Sequence, residues 1–125
     1  MITYKNIATL GGIAAFVVFI VFGFIPVIAN FIYGIEGNPQ SNFILRRASF
    51  LLLGLGLMAW LTRNEPPSVS RNAIALGFGA GMLGIMCTGI YDWARGFAGD
   101  TIWIFTIIEA VFGSLFVYLS RDQTS

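Results

Sequence analysis

Histidine is absent from this 125-residue chain, which removes the side chain that most often binds haem, zinc and copper in proteins. A bis-histidine haem subunit and a histidine-ligated pigment protein are therefore excluded, and no metal or other cofactor is predicted. Serine and cysteine nucleophiles also lose their usual base, and no nucleophile–base pair stands out in the sequence. An enzyme is therefore not the favoured interpretation.

Cysteine is nearly absent as well. Cys87 is the only one in the chain, so neither an internal disulfide nor a CxxC redox pair can form. Because it lies in an apolar run, we predict that it is a small buried residue without a redox role.

Charged residues make up only 10% of the chain, whereas a soluble domain has about 25%. Hydrophobic residues make up 57%, and the mean hydropathy is +0.81. So few charges cannot cover a water-facing surface, and lipid is the expected solvent. The net charge is +1 and no basic cluster is visible in the sequence, so nucleic acid is not an expected partner.

Long apolar segments are abundant instead. A run of about 20 apolar residues crosses the hydrocarbon core of a bilayer. We identify four such segments, at about 7–33, 43–62, 72–91 and 102–120. The fold class predicted is therefore all-α, a four-transmembrane-helix bundle of up-down-up-down topology in a single domain, 1–125. Pro26 should kink the first helix, while Ser41 or Asn42, and Ser70, are predicted caps of the second and third.

An even number of spans places both termini on one side of the membrane. That side carries four basic residues: Lys5, Arg63, Arg71 and Arg121. The other side carries three: Arg46, Arg47 and Arg95. Positive charge favours the cytoplasmic side, so we predict an inner-membrane protein with cytoplasmic termini.

Small residues form a narrow stripe on the third segment, which includes Gly77, Gly81 and Gly84. Small residues let membrane helices approach closely, so this stripe is predicted to pack inside the bundle. Because Gly77 and Gly81 also form a GxxxG pattern, self-association is the alternative. On the fourth segment, Gly113 shares an arc with Thr106 and Glu109, and this arc should also face the bundle.

Glu109 is the only acid within a span, where a charge costs about 2.5–3.5 kcal/mol. Arg46 or Arg47 could reach it from the second helix, although the sequence does not decide which one faces inward. One hypothesis is an outward-opening pocket for a small polar or amphipathic ligand, or for a proton. Its candidate residues are Glu36, Arg46, Arg47, Asp92, Arg95 and Glu109. The alternative is a structural clamp between Glu109 and an arginine, with the remaining charges solvated in loops.

The layout of these features resembles the DoxX-like group of small four-helix bacterial membrane proteins. The shared features are a long first helix ending near Pro26, Arg46 and Arg47 opening the second helix, and a glycine-rich third helix. They also include the polar loop that contains Asp92 and an acid, Glu109, in the fourth helix. The resemblance implies the four-helix fold and no catalytic residues. Some members of the group look like accessory subunits of respiratory or oxidoreductase systems.

Two functions follow as expectations. The first is an accessory or interaction component of a membrane complex, with the lipid bilayer, other membrane subunits or a second copy as partners. The second is a small transporter or ligand-binding membrane protein that uses Glu109 with Arg46 or Arg47. The sequence identifies neither the ligand nor the partner.

Overall fold

The computed structural model describes residues 2–121, which form helices and no strand. The helices are α1 (Tyr4–Phe24), α2 (Pro26–Tyr33), α3 (Pro39–Thr62), α4 (Val69–Ala94) and α5 (Trp103–Leu119), and a short 3-10 helix, Asp100–Ile102, precedes α5. Four helical stretches are long and apolar enough to cross a membrane: Tyr4–Phe24, Pro39–Thr62, Val69–Ala94 and Asp100–Leu119. The predicted all-α four-helix bundle is confirmed.

Proline divides the first predicted segment into two helices. Ile25, with φ −133° and ψ 58°, ends α1, and Pro26 is the first residue of α2. The proline ring disfavours helical geometry at the residue before it and removes one backbone donor. The break is therefore more complete than the predicted kink, and α2 is a separate helix that ends at Tyr33 and is capped by Gly34.

The caps of α3 and α4 lie before the predicted ones. The Asn38 side chain accepts from the Ser41 N–H at 2.8 Å, and the Ser41 hydroxyl accepts from the Asn38 N–H at 3.1 Å. This reciprocal pair is a capping box, so α3 begins at once after Asn38. Ser68 caps α4 by accepting from the Arg71 N–H at 3.1 Å. The predictions that Ser41 or Asn42 caps α3 and that Ser70 caps α4 are therefore wrong, because these residues lie within the helices.

The bundle consists of two closely packed pairs of helices. α1 packs along α3, α4 packs along α5, and fewer contacts join the two pairs. One buried cluster lies towards the start of α1 and includes Phe78 stacked on Phe116, with ring centroids 4.3 Å apart. A second lies towards α2 and contains Phe22, Ala29 and Leu45. The space between the two pairs is where the candidate site lies.

Glycine brings α4 and α5 together, but through another face of α4 than predicted. A Cβ at Gly79 would lie 2.9 Å from the Gly113 carbonyl oxygen, so this glycine permits close backbone approach. By contrast, a Cβ would meet no atom within 4 Å at Gly77, Gly81 or Gly84. The predicted stripe therefore lies on the outside of the bundle, and of the predicted packing glycines Gly113 is the one in the interface.

Cys87 is exposed on α4, so the prediction that it is buried is wrong. Asn30, by contrast, is a polar residue buried within α2, with 4% of its surface exposed. Its Nδ2 donates to Asn42 Oδ1 at 2.9 Å, which ties α2 to the first turn of α3.

Candidate functional site

An apolar cavity of about 230 Å³, here called the inner cavity, lies between the two helix pairs. α1, α3, α4 and α5 all contribute to its walls, and both buried clusters border it. Among the described residues that line it, Tyr33 and Glu109 alone have polar side-chain atoms. A chamber of this kind suits a hydrocarbon body and offers one place for a polar group.

A second cavity of about 280 Å³, here called the outer cavity, lies towards the loop that joins α4 and α5. Its lining is more polar and includes Thr88, Asp92 and Glu109. Four residues line both cavities: Tyr33, Ile85, Phe105 and Glu109. We call these four the collar, because they separate the two spaces. A molecule that occupied both cavities would contact the collar at its middle.

Glu109 is held in the collar by the geometry of α5. It lies six residues after Trp103, or about 9 Å along the helix at about 1.5 Å per residue. One turn earlier, Thr106 is buried and its hydroxyl donates to the Ile102 carbonyl at 3.1 Å. The buried face of α5 thus contains Thr106 and Gly113, as predicted, and Glu109 is half-buried beside it.

Tyr33 enters the collar because the end of α2 is fastened to the loop before α5. The Gly99 N–H donates to the Tyr33 carbonyl at 2.9 Å, and the Thr101 hydroxyl donates to the Phe31 carbonyl at 3.0 Å. Gly34 has φ 67° and lies against Gly99, where a side chain on either residue would meet backbone. This left-handed turn needs glycine, and it fixes the position of the preceding tyrosine.

Aromatic contacts complete the collar. The Tyr33 ring lies 5.2 Å from that of Phe105 and 5.9 Å from that of Phe22, measured between centroids. Tyr33 and Glu109 both line the inner and the outer cavity. The collar therefore joins one carboxylate and one phenol with two apolar side chains from three different helices.

The inner cavity also reaches the outer surface of the bundle. Leu51 of α3 lines the cavity although 73% of its surface is exposed, and Ile85 of α4 lines it with 45% exposed. α3 and α4 make few contacts with each other. The cavity is thus accessible sideways, from where lipid chains surround the helices.

The structure gathers only part of the predicted pocket. Glu109 and Asp92 line the outer cavity together. Arg46, Arg47, Arg95 and Glu36 are exposed and line neither cavity. Arg47 lies over the ring of Phe43 at 5.7 Å, and Arg95 donates to the Tyr91 hydroxyl at 2.8 Å. None of the described residues that line either cavity with Glu109 is basic.

Sequence reasoning missed Tyr33, Phe105 and Ile85 as neighbours of Glu109. Tyr33 is the last residue of α2, and tyrosine is common at helix ends near the membrane interface, so its presence there does not indicate a site. One sequence signal was present, because Tyr33 is followed by Gly34 and a left-handed glycine fixes the direction of the preceding helix end. Nothing in the sequence pairs that glycine with Gly99.

Comparison of the chain with protein-family models, with curated proteins and with solved structures gives no match. The resemblance to the DoxX-like group therefore stays a prediction from the layout of the helices.

Proposed function

We propose that this membrane protein binds a small amphipathic cation, whose apolar body occupies the inner cavity and whose charged head lies at the collar. The observation that carries the proposal is the position of Glu109 in the wall shared by an apolar and a polar cavity. Asp92 adds a second carboxylate to the outer cavity, and no lysine or arginine is among the described residues that line either space.

Charge favours a cationic head over a neutral or anionic one. A carboxylate within a span is costly unless a partner, a proton or water accompanies it. A bound ammonium group would be such a partner, and in surroundings of low dielectric constant the attraction between opposite charges is strong. An anionic head would meet two carboxylates and no positive side chain, so it should be rejected.

Size limits the ligand to a small molecule. Pockets for drug-sized ligands usually measure about 300–1,000 Å³. Neither cavity reaches this range alone, but both border the collar, and their combined volume falls in the lower part of this range. A chain of roughly eight carbons with one terminal amine fits this description. The sideways access between α3 and α4 allows such a molecule to arrive from the bilayer.

Three photoreactive probes that differ only in the head group test the proposal. Each has an eight-carbon chain with a diazirine and ends in an amine, an alcohol or a carboxylate. The purified protein in lipid nanodiscs is irradiated with each probe, and mass spectrometry locates the adducts. We expect the amine to label residues of the inner cavity, such as Met82 and Phe112, several-fold more than the other two probes.

Glu109→Gln provides the matched variant, because glutamine keeps the size of the side chain and removes its charge. Labelling by the amine should fall to the level of the alcohol, while labelling by the alcohol stays unchanged. Absence of cavity adducts with every probe would contradict binding altogether. Preferential labelling by the carboxylate would instead favour the hypothesis that Glu109 works with Arg46 or Arg47.

A second candidate function, an accessory component of a membrane complex, is favoured by the outer face of α4. Gly77, Gly81 and Gly84 leave a groove on this face, and such grooves admit the backbone of another helix. A partner subunit or a second copy would fill the groove. The mass of the native protein isolated in mild detergent tests this candidate.

The proposed setting is the inner membrane with both termini in the cytoplasm. The support is the count of basic residues, which is larger on the side of the termini. A membership in the DoxX-like group would agree with both candidate functions and with this setting, because it implies only the four-helix fold.

A further inference from the structure

A third cavity, a cleft of about 430 Å³, lies at the opposite end of the bundle from the outer cavity. It lies where α1 begins, α3 ends and α4 begins. Among the described residues that line it are three basic ones from these three places, Lys5, Arg63 and Arg71, and one acid, Glu65. We call it the basic cleft. It shares no lining residue with the inner or outer cavity.

Arg71 is held in a fixed position at the floor of the cleft. Only 8% of its surface is exposed, its guanidinium lies 4.6 Å from the centroid of the Tyr4 ring, and Nη1 donates to the Glu65 carbonyl at 3.0 Å. The hydroxyl of Tyr4 is in turn within 2.7 Å of the Thr62 hydroxyl. The guanidinium is thus oriented before any ligand arrives, which reduces the entropy lost on binding.

The charge of Arg71 is not neutralised by this arrangement. Its Nε is buried and has no hydrogen-bond partner among residues 2–121. Its Nη1 donates to a backbone carbonyl, which is neutral. Buried charged groups are usually paired with an opposite charge. With no acidic partner among residues 2–121, this nine-tenths buried guanidinium points to an anion that the protein takes from its surroundings.

The guanidinium of Arg63 is also oriented by contacts within the chain. Its guanidinium lies 4.1 Å from the centroid of the Trp60 ring, and Nη1 donates to the Trp60 carbonyl. One face of the guanidinium contacts the Trp60 ring and one N–H group donates to the Trp60 carbonyl, which leaves the other N–H groups for a ligand. Arginine binds phosphate well because its planar donors match the phosphate oxygens.

The helix ends add to the positive field at the cleft. α1 and α4 both begin there, and the N-terminus of a helix carries a partial positive charge and free N–H groups. An apolar side chain lies at the same rim, because Ile2 lines the cleft with 58% of its surface exposed. A phosphate with hydrocarbon chains attached would contact both kinds of surface.

We infer that the basic cleft binds the phosphate group of an anionic phospholipid, with Arg63, Arg71 and Lys5 as its ligands. Basic pockets between membrane helices commonly bind acidic lipid headgroups. The inference is independent of the amphipathic cation proposed above, because the site lies at the other end of the bundle and has the opposite charge.

Native mass spectrometry of the delipidated protein with added phosphatidylglycerol tests the inference. The variant combines Lys5→Gln with Arg63→Gln, while Arg71 is left unchanged because it is packed into the fold against Tyr4. The matched control combines Arg46→Gln with Arg47→Gln and removes two charges from the other end. We expect the first variant to bind phosphatidylglycerol more weakly, by roughly five-fold for each charge removed, and the control to bind like the wild type.

An equal loss in both variants, or no loss in either, would overturn the inference, since the cleft would then not be the site. Inorganic phosphate, added as a competitor, distinguishes the source of the phosphate group. Phosphatidylglycerol retained in the presence of millimolar phosphate supports a lipid ligand, and its displacement would assign the cleft to free phosphate instead. Unfolding midpoints of both variants, compared with the wild type, show that the measured differences come from binding.

Discussion

Asn30 shows how a single polar residue is accommodated between apolar helices. Its Nδ2 donates to Asn42 Oδ1, whereas its own Oδ1 is buried without a partner among the described residues. Gly37 is required next to it, because a Cβ there would lie 2.5 Å from Nδ2. Since α2 holds Tyr33 in the collar, this one contact between side chains helps to position the candidate site.

We predict that Asn30 and Asn42 are energetically coupled. Asn42→Ala should lower the free energy of unfolding by about 1–3 kcal/mol, because it leaves a buried donor without an acceptor. In the double variant with Asn30→Ala, the two effects should fall short of their sum by about 0.6–1.7 kcal/mol, as for other side-chain hydrogen bonds in membrane proteins. Unfolding in mixed micelles measures these values, and strict additivity would show that the hydrogen bond contributes nothing.

At the scale of the helix, α4 has two faces that carry glycine and only one is used within the chain. Gly79 lies against α5, where a Cβ would be 2.7 Å from a methyl group of Val117. Gly81 lies on the outer face, where a Cβ would meet nothing within 4 Å. The same residue type therefore has a packing role at one position and an open surface at the other.

Alanine at these two positions should have opposite effects on stability. Gly79→Ala should destabilise the protein by about 1–3 kcal/mol, because it forces α4 away from α5. Gly81→Ala should stabilise it by up to about 1 kcal/mol, because alanine is the better helix former. Unfolding midpoints in detergent would check both changes.

Gly81→Ile extends this test to the groove as an interface. If a partner helix occupies the groove, the larger side chain should reduce the mass of the complex isolated in mild detergent while the chain itself stays folded. A complex of unchanged mass would remove the support for an accessory role.

At the scale of the whole molecule, the arrangement of two helix pairs creates the space between them. α1 with α3 and α4 with α5 are closely packed, and the loops at Gly34 and Gly99 join the pairs at one end. The inner cavity remains between the two pairs because the extensive helix packing lies within each pair and few contacts join them. A ligand bound there would contact both helix pairs and should stabilise their packing against each other.

Filling the inner cavity should block binding whatever the charge of the ligand. Ala48 lines the cavity, so Ala48→Phe should reduce labelling by the amine probe and by the alcohol probe alike, in contrast to Glu109→Gln. Ala80→Phe, at an exposed position of α4, is the matched control and should label like the wild type. Equal labelling of Ala48→Phe and the wild type would show that the probes bind elsewhere.

The number of spans and the half-buried acid could both be predicted from the sequence. The four apolar segments are long enough to cross a bilayer, and their composition makes lipid the expected solvent. The isolation of Glu109 within a span, and its place beside Thr106 on the inner face of α5, also follow from helical periodicity. Capping residues were misplaced because serine and asparagine are frequent in these loops, and only backbone geometry decides among them.

The tertiary structure alone decided which helix faces meet. In lipid both faces of a helix are apolar, so hydrophobicity does not determine which one is buried, and small residues occur on more than one side of α4. The structure buries Gly79 rather than Gly81, and it brings Tyr33 and Asp92, not Arg46 or Arg47, to the cavities of Glu109. It also gathers Lys5, Arg63 and Arg71 from three elements into one cleft.

The sequence by itself determined a four-helix membrane protein with one intramembrane acid, because length and composition are local properties. The neighbours of that acid depend on how distant segments pack, and packing is a property of the folded chain.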